Sequence, residues 1–159
     1  MKPENVVVSP EWEVTLIDFG LADFSSNCSK AFAGTLPYLA PEMIEGRPDH
    51  RCDIWSVGVV AYYMLTGGKL PFRGKSREDV VISILGAPLL FPEHRKIGWF
   101  ARNLVRCLLE RDPRKRIDIS SALRHPFLRM YTDSEEAIAD SPTEKESSSS
   151  PVRKVRRVG

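Results

Sequence analysis

The chain has 159 residues, 42% hydrophobic and 28% charged, with a net charge of +2. That length and balance predict one soluble globular domain with a single core, and the near-zero charge gives no overall field towards nucleic acid or a membrane. Cys28, Cys52 and Cys107 are odd in number and far apart, which excludes a disulfide framework or a zinc site by spacing and predicts a reducing, intracellular setting.

The N-terminus, MKPENVVVSP, has no apolar stretch of the kind a signal peptide needs. NVVV (5–8) and EVTLID (13–18) are β-branched runs separated by SPEW, and predict a short hairpin. Residues 20–40 carry no sustained period and predict a long loop, a length that usually serves function. PEMIE (41–45) predicts a short helix with proline at its first position. Residues 51–66 predict a helix that is apolar almost all round. Its core, IWSVGVVAYYML, is too short to cross a bilayer. A further helix is expected over 76–85, with Ser76 as N-cap and acidic residues in its first turn. Another is expected over 98–110, where Phe100, Leu104 and Leu108 share a face with Ala101, Val105 and Leu109 beside them. The last starts after Asp118 and ends at His125, before Pro126. His50, His94 and His125 are scattered and read as surface or core residues. After about residue 131 the composition turns to Ser, Glu, Thr, Pro and basic residues, which predicts a disordered tail ending in VRKVRRV. The fold class expected is mainly α with a short β-hairpin.

Within the second run, VTLIDFGLADF (14–24) ends an apolar strand on Asp18, followed by Phe19 and Gly20. A carboxylate at a strand tip before a flexible residue suits a metal ligand. Single motifs of this kind are weak, but their order is specific. KPEN (2–5), DFG (18–20), GTLPYLAPE (34–42), DIWSVGVV (53–60), LPF (70–72), RDPRKRI (111–117) and HPF (125–127) follow one another. Together they resemble the large, C-terminal lobe of a eukaryotic protein kinase of the serine/threonine type, most similar to the calmodulin-dependent group. The resemblance covers residues 1–130 as a partial, incomplete kinase domain and leaves 131–159 as the Ser-rich, basic tail.

The resemblance implies transfer of the ATP γ-phosphate to Ser or Thr hydroxyls of protein substrates, with ATP and Mg²⁺ as cofactors. Asp18 and Asn5 match the two Mg²⁺ ligands, and both offer the oxygen donors a hard cation prefers. Lys2 matches the lysine that neutralises the transferring phosphate, and it favours Ser/Thr specificity. Thr35 matches the threonine that braces the catalytic loop. Phe19 would pack inward to set Asp18, and Gly20 would let the backbone swing. Glu42 and Arg116 match a buried ion pair that ties the activation segment to the last helices. Asp53 matches a residue that hydrogen-bonds the catalytic-loop backbone, and it also suits a helix N-terminus through the macrodipole. Glu4 is similar to a residue that reads a basic substrate position in some relatives.

The sequence departs from the family pattern at several points. Residues 1–159 contain no H-R-D aspartate, the family's catalytic base, and no glycine-rich loop, so the chain alone is expected to be inactive. Met1 stands where kinases often read H-R-D-M-K-P-E-N, and so reads as an internal methionine. Two helices that flank the central helix in the family have no counterpart, which leaves one flank of 51–66 bare and predicts aggregation or a covering partner. Ala31 occupies the usual activation-loop phosphosite, leaving Ser25, Ser26 and Ser29 as alternatives, and Leu36 replaces a common proline. In the tail, Ser141-Pro142 and Ser150-Pro151 suit proline-directed kinases. VRKVRRV suits a nuclear signal, a docking peptide, a calmodulin-like target or simply a solvated basic end. A cytoplasmic and nuclear location is expected. Two alternatives stay open: a short non-catalytic binding module and a pseudokinase.

Overall fold

The computed structural model describes residues 1–18, 35–47 and 49–130. Phe19, Gly20, Cys28, Ala31, the three loop serines and the whole tail lie outside the described residues.

Residues 6–8 and 14–16 form strands β1 (Val6–Val8) and β2 (Val14–Leu16), paired antiparallel with Val6 opposite Leu16 and Val8 opposite Val14. The turn is built by Ser9. Its carbonyl accepts from the Trp12 N–H at 3.0 Å, and its hydroxyl accepts from Glu11 and Glu13 N–H at 3.2 Å each. Trp12 takes a left-handed φ of 66°, the bulge geometry of a three-residue hairpin loop.

The helical body follows. It comprises α1 (Pro41–Ile44), α2 (Cys52–Thr66), α3 (Arg77–Gly86), α4 (Trp99–Leu108) and α5 (Ile119–Leu123), followed by an unexpected helical segment over 126–130. The five expected helices are present, with ends shifted by one or two residues. In the expected loop over 20–40, the described part contains a 3₁₀ turn, Leu36–Tyr38, because Pro37 presets the φ of its second residue.

Helix α2 is the axis of the core. Trp55, Val59 and Tyr62 are buried on one side with Phe72, Ile84, Val105, Leu109 and the 36–43 segment. A second cluster joins Leu104, Leu108 and Ala122 to Ile54, Val57 and Ala61 of the same helix. Gly58 lies between the two. A methyl there would sit 2.8 Å from Leu108 Cβ and 2.9 Å from Leu109 Cδ2, so α2 and α4 touch almost backbone to side chain. At its C-terminus α2 closes on Gly67, with φ of 71°. The Gly67 N–H donates to Met64 O at 3.3 Å and the Gly68 N–H to Tyr63 O at 2.8 Å, the paired bonds of a Schellman cap.

Two expectations are corrected. The bare flank of 51–66 is largely absent. Apart from Asp53 at its start, only Met64 of α2 is exposed, at 73%, because α4 and the loops beyond α3 cover the rest. Exposed apolar surface is instead marked on the hairpin, where Trp12 is 85% and Val14 65% exposed. Phe100 does not join the buried face of α4. It is exposed and packs edge-on against Trp99, 5.2 Å between ring centroids, because the buried side of that first turn is the one carrying Ala101. Among the described residues no helix is long and apolar enough to cross a membrane.

Ser76 caps α3 in a reciprocal box. Its hydroxyl accepts from the Asp79 N–H, and the Asp79 carboxylate accepts from the Ser76 N–H, both at 3.1 Å. Ser76→Ala is therefore expected to cost about 1 kcal/mol, seen as a lower urea midpoint with an unchanged slope. A midpoint equal to the parent's would show that the cap does not stabilise α3.

Candidate functional site

The site is built where the hairpin opens. A single turn, Pro3–Asn5, precedes β1 and is closed by the Asn5 N–H donating to Lys2 O at 3.0 Å. One step beyond the Val6–Leu16 pair, the Asn5 carbonyl accepts from the Ile17 N–H at 2.9 Å. The ladder thus carries Asn5 to the residue next to Asp18. Asp18 has a φ of 64° and is exposed. In a pleated strand its side chain would alternate away from that of Ile17, but the left-handed φ breaks the pleat. Aspartate is among the few residues that adopt this conformation readily, and such strain gathers at functional positions.

Asn5 and Asp18 offer oxygen donors only. Among the described residues no group of three or more His, Cys, Asp or Glu side chains is placed to hold a metal. Two protein oxygens suit Mg²⁺, which is commonly held by one or two carboxylates with phosphate and water completing its shell. The residues present therefore fit the ion. Lys2 is half-buried at the start of the same turn, three residues before Asn5.

The 35–43 segment packs against α2 and α3. Burial raises the Tyr38 phenol above its ordinary pKa, and the nearby Glu4 carboxylate and Tyr63 add to the effect. The Thr35 carbonyl accepts from the Tyr38 N–H at 3.0 Å. The Thr35 hydroxyl is exposed and makes no hydrogen bond among the described residues.

The segment is anchored from below. The Arg116 Nη1 donates to Glu42 Oε1 at 2.6 Å and its Nη2 to Glu42 Oε2 at 2.9 Å. The two side chains are 0% and 5% exposed. The remaining donors of the guanidinium reach Glu110 O at 2.8 Å and Arg51 O at 2.8 Å, and its plane lies over the Trp55 ring, 5.3 Å from the centroid. Ser56 adds a second tie, its hydroxyl donating to Tyr38 O at 3.0 Å.

Asp53 does not reach the 2–5 turn. It is exposed in the first turn of α2 and makes no hydrogen bond among the described residues, so only its helix-terminal placement is seen. Two contributors were missed by sequence reasoning. Arg51 donates to Pro113 O at 2.7 Å and to Arg116 O at 3.3 Å, clamping the loop that carries Arg116. Trp55 forms the floor beneath that guanidinium. A charge just before a helix and a tryptophan within an apolar run carry no signal of these distant partners.

Residues 1–128 match the family model for the protein kinase domain. Among curated proteins, the chain is 36% identical over 134 residues to the probable serine/threonine-protein kinase CCRP1 of Zea mays, covering 81% of this chain and 21% of that protein. It is 36% identical over 131 residues to an Aurora kinase of Eremothecium gossypii, covering 80% of this chain and 35% of that protein. It is 32% identical over 151 residues to calcium-dependent protein kinase 4 of Plasmodium falciparum, covering 90% of this chain and 28% of that protein. The chain thus spans between about a fifth and a third of the length of these relatives.

Proposed function

The chain belongs to the protein kinase domain family, and we propose that it supplies the metal-holding turn and the anchored activation segment of a serine/threonine protein kinase. The reaction is transfer of the ATP γ-phosphate to Ser or Thr hydroxyls of proteins. Protein kinases in general use ATP with Mg²⁺. The observation that carries this reading is the Ile17 N–H to Asn5 carbonyl bond, which sets Asn5 beside Asp18 at the open end of the hairpin.

In this reading Asn5 and Asp18 hold Mg²⁺, which when bound neutralises phosphate charge. Lys2 adds a cation towards the transferring group, and Thr35 faces the 2–5 turn as a brace. The Glu42–Arg116 pair fixes the height of the 35–43 segment against the helical body. Residues 1–159 contain no H-R-D aspartate to accept the hydroxyl proton, so the chain alone does not turn over.

The test uses the longest protein product of the gene that contains residues 1–159. Phosphate transfer from labelled ATP to a Ser/Thr peptide mixture is expected to fall about a hundredfold or more in Asp18→Asn and to stay unchanged in Glu11→Gln, on the hairpin loop. Turnover by residues 1–159 alone, or full activity in Asp18→Asn, would overturn the reading.

A further inference from the structure

Cations crowd the C-terminal end of α2. The Arg95 guanidinium lies against Gly67, close enough that any side chain there would collide with it. Lys69 Nζ stands 3.5 Å from His94 Nε2. Tyr62 and Phe91 pack with ring centroids 5.4 Å apart. The Arg102 and Arg106 guanidiniums lie 5.5 and 5.4 Å from the Phe91 centroid. Burial raises the Tyr62 phenol above its ordinary pKa, and the nearby Arg73 charge partly opposes that shift. Lys96 follows Arg95 in the same exposed loop.

These cations are not neutralised within the described body. Its ion pairs join Arg47 to Glu45, His50 to Asp49, Arg114 to Asp112 and Arg116 to Glu42, and Glu93, the acid in the loop, pairs with none of the six. Arg102 and Arg106 are four residues apart on one helix face, a spacing at which like charges repel. They are held there by the Phe91 ring and by the Arg102 Nε donating to Ile97 O at 3.0 Å. The surface is therefore preorganised and electrostatically open.

The complement is in the chain's own sequence. Residues 133–146, DSEEAIADSPTEKE, carry six acidic side chains and one lysine. They lie outside the described residues, which end at Met130. The chain passes α4 at His125, whose Nε2 meets Asn103 Oδ1 at 2.9 Å, and its described part ends five residues later at Met130. Asn103 adjoins Arg102 on α4. An extended chain of roughly 16 residues beyond Met130 reaches roughly 50 Å, well over the roughly 15 Å length of α4.

We propose that the acidic segment 133–146 docks in cis onto the surface formed by Lys69, Arg73, Arg95, Lys96, Arg102 and Arg106. The inference is independent of phosphoryl transfer. It gives the tail a binding site on the body and makes Ser141, inside the segment, a position where an added phosphate would strengthen the contact.

Zero-length carbodiimide coupling of the full chain tests this, since it joins carboxylates to lysine amines in contact. Peptide mapping is expected to find residues 133–146 coupled to Lys69 or Lys96 about tenfold more than to Lys2 at low salt. The coupling should fall several-fold near 1 M salt, where the screening length is about 3 Å, and in the double variant Arg73→Gln/Arg106→Gln. Both arginines are exposed, so the fold is retained. Equal coupling to Lys2, or coupling indifferent to salt and to the variant, would overturn the proposal. Coupling between chains in a mixture of isotopically light and heavy protein would also overturn it, and would assign the surface to a second copy.

Discussion

Arg116→Met is expected to lower the unfolding free energy by about 3–5 kcal/mol, because it strands the Glu42 carboxylate in a site only 5% open to water. The guanidinium makes two bonds to that carboxylate and further bonds to the carbonyls of Glu110 and Arg51. Arg116→Lys should rescue little, since an ammonium cannot reproduce the planar fork. Removing both charges, as Glu42→Leu with Arg116→Met, should restore part of the loss, because no buried ion is then unpaired. Chemical denaturation of the four proteins measures all three statements. An Arg116→Met variant as stable as the parent would show that the pair is energetically idle, and a double variant no more stable than the single would show that the stranded carboxylate is not the cause of the loss.

Trp55→Ala comes next, with an expected cost of about 3–5 kcal/mol. The ring is fully buried and stacks on Phe72 with 5.5 Å between centroids and 12° between planes. It also lies under the Arg116 guanidinium, so the two substitutions share a partner and their costs should not add. The indole carries one further prediction. Its Nε1 is buried without a hydrogen-bond partner among the described residues, and an unmet buried donor costs roughly 1–3 kcal/mol. Trp55→Phe removes that donor while keeping a ring to stack, so it should cost less than half as much as Trp55→Ala. A Phe variant as unstable as the Ala variant would mean that ring volume alone sets the stability here.

Local elements were legible in the sequence because local rules govern them. Proline at position 41, the Ser76 cap and the β-branched runs at 5–8 and 13–18 each announce their element through backbone chemistry. The spacing of Leu104, Val105 and Leu108 announced the buried face of α4. Phe100 misled for a physical reason. It continues the apolar period, yet the period cannot tell whether a neighbour exists at that turn. Helix α2 misled similarly, since an all-apolar helix does not say which sides are covered. The Glu42–Arg116 pair spans 74 positions; it was anticipated through resemblance and not through any property of the residues between. The adjacency of Asn5 to Asp18 lies between these extremes. The hairpin implied it, while the left-handed turn at Asp18 that finishes it left no trace in the sequence.

Gly58 has a thermal consequence. Leu108 and Leu109, its two contacts, belong to different apolar clusters, so this one missing side chain is where the clusters meet. With the helices in such close approach, neither cluster can loosen without opening a gap in the other, and the described body should melt in a single sharp transition. A bulkier residue at 58 would act as a wedge, letting the α4–α5 end come apart at a lower temperature than the Trp55 end and splitting one calorimetric peak into two.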